Sequence, residues 1–123
     1  YYEETDFAYR GNAVGLKAYQ INSIQVEHKV GTSVEYKDLE EEKNIQDLCT
    51  WHFIWSKFYF FKKRYGFFIS IIYFLPILVR TRIKIIFFKM LSKHEKKKKY
   101  EIRYDALMSS IKGLKAYKRI NNF

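Results

Sequence analysis

Three carboxylates and a guanidinium crowd the start of the chain, in Glu3-Glu4-Thr5-Asp6 followed by Arg10. Acids at this spacing can remove a proton from a hydroxyl or hold a cation, which makes Glu3, Glu4 and Asp6 with Arg10 a candidate chemical centre. The same residues have a second reading, in which first-turn acids complement a helix dipole and Asp6 pairs with Arg10 at i, i+4. His28 follows Val26 on a β-prone run and is either a metal ligand or a surface histidine. The single cysteine, Cys49, excludes an internal disulfide, and no paired Cys/His spacing offers a zinc site. A reducing, cytoplasmic setting fits this usage.

A different chemistry begins at Trp51. Trp51, Trp55, Lys57, Lys62, Lys63 and Arg64 interleave aromatic rings with cations, and Arg80 and Arg82 follow. Such a mixture suits an anionic membrane surface, stacked RNA bases, or packing on another domain. The net charge of +10 divides unevenly: residues 1–48 hold five bases and ten acids, and residues 49–123 hold eighteen bases and three acids. A basic surface seeking phosphate is implied for the second part. With 48% hydrophobic and 29% charged residues, the chain is too apolar for a disordered tail and too charged for a membrane-buried bundle.

The elements that must position these groups follow from periodicity. Glu3 to about Val14 reads as a short helix, with Gly15 where a C-cap glycine belongs. Leu16 to Ile21 and Ile24 to His28 read as short strands separated by the Asn22-Ser23 turn, with Gly31-Thr32-Ser33 ending the second. The acidic stretch 35–47 reads as a linker or an exposed helix start. Ile45, Leu48, Trp51, His52, Trp55, Phe58 and Tyr59 recur at three- and four-residue steps, the stripe of a helix ending near Gly66. A second helix starts at Phe67, and Pro76 inside it predicts a kink or break. The uncharged apolar run Phe67 to Val79 spans thirteen residues. At ~1.5 Å per residue that is short of the ~30 Å hydrocarbon core, so a helix lying in the interface is expected rather than one that crosses. His94 to Lys99 reads as a solvated charge run, and Ile102 to Leu114 as a last short helix closed by Gly113.

Taken in order, Glu3-Glu4-x-Asp6 with Arg10, Gly15-Leu16-Lys17, Val26-x-His28 with Gly31-x-Ser33, the Trp51 to Gly66 aromatic and basic segment, Leu75-Pro76 and Ala106-Leu107-Met108 resemble the end of a bacterial family 2 glycosyltransferase of the GT-A type. The resemblance implies an α/β fragment: residues 1–34 as the last helix and short strands of a GT-A, Rossmann-like domain, 35–47 as an acidic linker, 48–92 as aromatic and basic amphipathic helices, and 93–123 as a lysine-rich tail with a short helix. It implies an inverting transfer from a nucleotide-sugar donor to a saccharide acceptor carried on lipid, in surface polysaccharide synthesis. Glu4 or Asp6 would be the base, and Glu3 and Arg10 would orient the acceptor or the donor. A divalent metal, Mg or Mn, would be held mainly by an upstream half, with His28 completing its site. Since the nucleotide-binding strands and the Asp-x-Asp motif do not occur in these residues, the piece is expected to be inactive alone.

Peripheral attachment to the cytoplasmic face of the plasma membrane follows from the cations and aromatics together, with Trp51, Trp55, Lys57, Lys62, Lys63, Arg64, Arg80 and Arg82 at the surface. No nucleic acid partner is expected. The competing reading is a non-catalytic basic helical module that binds anionic membrane or RNA, in which the acid cluster only caps a helix.

Overall fold

The computed structural model describes residues 1–19, 21–24, 37–116 and 118. Among them are four α-helices: α1 (Glu3–Ala13), α2 (Leu39–Tyr65), α3 (Phe67–Met90) and α4 (His94–Ile111). No strand occurs among the described residues.

That overturns the α/β expectation. Leu16 to Tyr19 and Ile21 are irregular, and Leu16, Tyr19 and Ile21 are exposed with no partner strand. A β-prone run becomes a strand only when a neighbour completes its hydrogen-bond ladder. Leu16 instead ends α1: its N–H bonds to Gly11 O at 2.9 Å while that of Gly15 bonds to Asn12 O at 3.1 Å. These are the two bonds of a Schellman motif, with Gly15 at φ +83° in its left-handed position. The second expected strand, from Gln25 onward, lies outside the described residues.

Asp38 starts α2, its Oδ1 accepting from the Glu41 N–H at 2.7 Å, and Glu41 Oε2 accepts in turn from the Lys37 N–H at 2.8 Å. The stretch 35–47 therefore turns helical at Leu39, and α2 continues through the aromatic stripe to Tyr65. Gly66 alone joins α2 to α3. Its φ +82° and ψ 168° lie in a region essentially reserved for glycine. The Ser70 hydroxyl donates to Gly66 O at 2.8 Å and helps fix the start of α3.

α3 runs unbroken through Pro76, where a kink or break was expected. Proline removes one backbone donor, but core contacts on both sides of it, Phe74 before and Leu78, Thr81 and Ile85 after, keep the helix continuous. Phe74, Thr81 and Ile85 are buried, and Phe74 belongs with Phe58 and Leu107 to one core cluster, against which Ile71 and Leu78 also pack. A second cluster joins Trp51, Ile102 and Ala106. α4 contributes to both. Lys98 lies near Asp47, Trp51 bonds Asp105, and Ser110 Oγ donates to Trp55 O at 3.0 Å. Contacts therefore advance together along α2 and α4, which run parallel. Along α3 and α4 they run oppositely, from Phe88 on Tyr100 to Arg82 on Tyr104 to Phe74 beside Leu107.

Candidate functional site

α1 buries no residue and touches the helical body at two charged points. Lys63 Nζ lies 2.9 Å from each Asp6 carboxylate oxygen, and Arg10 Nε donates to Asp6 Oδ2 at 3.0 Å. The Lys63 hydrogen bond, with Arg10 adding to it, holds the Asp6 carboxyl below the usual carboxylate range. A carboxylate held down in this way is a weak base. Arg64 places its guanidinium 3.1 Å from the centre of the Tyr9 ring. Glu3 pairs with the Tyr1 amino group, which lowers its carboxyl as well, and Glu4 is exposed.

The fold thus gathers Glu3, Asp6, Trp55 and Lys63 around one cleft of about 230 Å³, walled by Tyr2 and Phe60. It does not gather the rest. His28 lies outside the described residues, and among the described residues no group of three or more His, Cys, Asp or Glu side chains could hold a metal ion. Trp51, expected at a surface, is 2% exposed in the core, and its Nε1 donates to Asp105 Oδ2 at 2.8 Å. A tryptophan that closes a helix interface and finds a carboxylate for its N–H satisfies both of its ends. Trp55 is half-buried and donates to Leu114 O at 3.1 Å. Lys57 is half-buried and Lys62 lies over the Phe67 ring.

The most exposed apolar surface belongs to α3, away from the core. Phe68, Ile72, Val79, Ile83, Ile86 and Met90 recur at three-, four- and seven-residue steps, and all are exposed. They form a stripe on the side opposite Phe74 and Ile85. Arg80 and Arg82 are exposed, and being two positions apart they leave the helix on different sides. α3 contains no acid, and among the described residues no carboxylate pairs with Arg80, Arg82, Lys84 or Lys89. Periodicity alone could not find this stripe, because α3 is apolar nearly all round and its outer face is defined only once the inner one is known. No helix among the described residues is long and apolar enough to cross a membrane.

No family model, no curated protein and no solved structure matches the chain. The resemblance to family 2 glycosyltransferases does not stand. No strand occurs among the described residues, where the first of the expected strands should lie, and no family match supports the short motifs that suggested it. An acidic pair near an arginine and a Leu-Pro step are common enough to fall in this order in an unrelated helical chain.

Proposed function

We propose that this chain is a basic helical module that attaches peripherally to anionic membrane surfaces through the outer face of α3. The observation that carries this is the apolar stripe from Phe68 to Met90 bordered by cations that have no carboxylate partner among the described residues. A helix of this kind sinks its apolar face roughly 5–10 Å into the headgroup boundary while its cations meet anionic headgroups. Contiguous exposed apolar surface on this scale marks an interaction site.

Charge selects among its occupants. A second copy packed face to face would bring Arg80, Arg82, Lys84 and Lys89 of both chains together with no acid on α3 to offset them. RNA asks for hydrogen-bond donors and stacking rings, whereas Ile72, Val79, Ile83 and Ile86 offer aliphatic side chains. An anionic bilayer accepts both the cations and the aliphatic stripe.

Sedimentation with vesicles of phosphatidylglycerol and phosphatidylcholine tests this. Binding should rise with phosphatidylglycerol and fall in ~1 M salt, where the screening length is about 3 Å. Each α3 cation changed to glutamine should weaken binding about fivefold, from ~1 kcal/mol per basic residue near such a surface. Indifference to lipid charge, a dimer that hides the stripe, or preferential retention by RNA would overturn the assignment.

A further inference from the structure

Beside the outer stripe, Leu75, Pro76, Val79 and Ile83 form the apolar floor of a shallow groove of about 510 Å³ whose edge is made by Arg80 and Lys84. Behind that edge stands α4. Lys84 Nζ donates to the Tyr100 hydroxyl at 3.0 Å, and the Arg103 guanidinium lies 5.6 Å from the Tyr100 ring centre. Arg103 Nε is shut off from solvent and finds no hydrogen-bond acceptor among the described residues.

The nearby acids of α4 are committed elsewhere. Glu101 pairs with Lys97 at 3.0 Å, and Asp105 accepts from Trp51 and Lys118. Lys84 and Arg103 therefore meet at one phenol, Arg80 stands beside Lys84 on the groove edge, and among the described residues no carboxylate pairs with any of the three. Their field is visible at Tyr100, whose hydroxyl is held below the ordinary phenol range by the Lys84 hydrogen bond first, with Arg103 and Arg80 adding to it. Like charges brought together without a counterion repel one another, and a doubly charged phosphate would relieve that repulsion. An apolar channel opening directly from such a cationic edge fits a ligand that is anionic at one end and aliphatic at the other.

We propose that the groove over Leu75, Pro76, Val79 and Ile83 seats one phosphomonoester lipid, its chain along the groove and its phosphate between Arg80 and Lys84. This rests on the membrane reading and narrows it from charge in general to one headgroup class. The phosphate takes charge-assisted hydrogen bonds from Arg80 and Lys84. The chain covers part of the stripe that water otherwise meets.

The test uses the whole chain and the short-chain lipid dihexanoyl phosphatidic acid below its micelle concentration, with dihexanoyl phosphatidylcholine and inorganic phosphate as comparisons, followed by calorimetric titration. Saturable binding to phosphatidic acid, at least tenfold tighter than to either comparison, is expected. Arg80→Gln with Lys84→Gln should weaken it at least tenfold, Arg80→Lys with Lys84→Arg should keep most of it, and Lys112→Gln should change it less than twofold. Circular dichroism checks that the variants keep their helices. Phosphate binding as tightly as phosphatidic acid overturns the lipid assignment, and equal losses in the glutamine pair and in Lys112→Gln overturn the seat. Vesicle sedimentation separates the two levels. Vesicle binding without saturable phosphatidic acid binding removes the seat alone, saturable binding without vesicle binding supports the seat and removes the membrane reading, and loss of both removes both.

Discussion

Asp6 illustrates how one residue divides between sequence and fold. Its pairing with Arg10 is legible from the i, i+4 spacing, but Lys63 arrives from 57 positions away and no local pattern announces it. In the fold Asp6 is the anionic half of a clasp that ties α1 to α2. Its carboxyl is depressed by Lys63 first and Arg10 after, so the clasp contributes above the ordinary carboxylate pKa and is lost as pH falls through the lower folded value. Hydrogen exchange should therefore find α1 equally protected from neutral pH down to the carboxylate range and progressively freer below it. Asp6→Asn should bring that freer state to neutral pH without altering exchange in α2, α3 or α4. If Asp6→Asn leaves α1 as protected as before, the Tyr9–Arg64 contact and the Tyr1 and Tyr2 rings packed on Phe53 and Phe60 hold the helix without the clasp.

Elements were readable where a special backbone residue punctuates them. Gly66 divides α2 from α3, and Gly15 and Gly113 end α1 and α4, each at positive φ. The sequence predicts a short helix over Ile102 to Leu114, yet α4 begins at His94, because its first turns exchange charges with residues of α2 that are distant in sequence: Glu95 pairs with Lys43, and Lys98 lies 3.6 Å from Asp47. The break at Pro76 and the strand from Leu16 fail for a related reason. Propensity is decided by what packs alongside, and α3 had a partner in α4 whereas Leu16 to Ile21 had no strand. Among the glycines, Gly66 should be the least replaceable. A Cβ there would meet no atom within 4 Å, so the cost of Gly66→Ala is conformational, on the order of 1–3 kcal/mol. Gly113→Ala, in an ordinary left-handed cap, should cost about 1–2 kcal/mol. Urea midpoints that rank the two in the opposite order would show that α2 and α3 can join through a different turn.

At the scale of the molecule, the division of charge along the sequence is partly cancelled by folding. α2 and α4 run parallel, so Lys43 of α2 meets Glu95 of α4 and Asp47 of α2 meets Lys98 of α4, whereas among the described residues no acid pairs with the cations of α3. Composition announced a basic surface but could not say which one, since that depends on which lysines meet acids. The two faces of α3 then make opposite demands on the same helix. Phe74 is 2% exposed between Phe58 and Leu107, and Phe74→Ala should cost about 3–5 kcal/mol through lost burial and the cavity left behind. Ile72, two positions earlier, is 72% exposed, so Ile72→Glu should change stability by no more than about 0.5 kcal/mol. Vesicle binding should reverse that order. Ile72→Glu removes an apolar anchor and sets a carboxylate against anionic headgroups, which should weaken binding at least tenfold, while any Phe74→Ala chain that remains folded keeps its outer stripe and should bind nearly as wild type. A large loss of stability in Ile72→Glu would mean that this face is packed rather than free, and undiminished vesicle binding by a folded Ile72→Glu chain would move the membrane contact off α3.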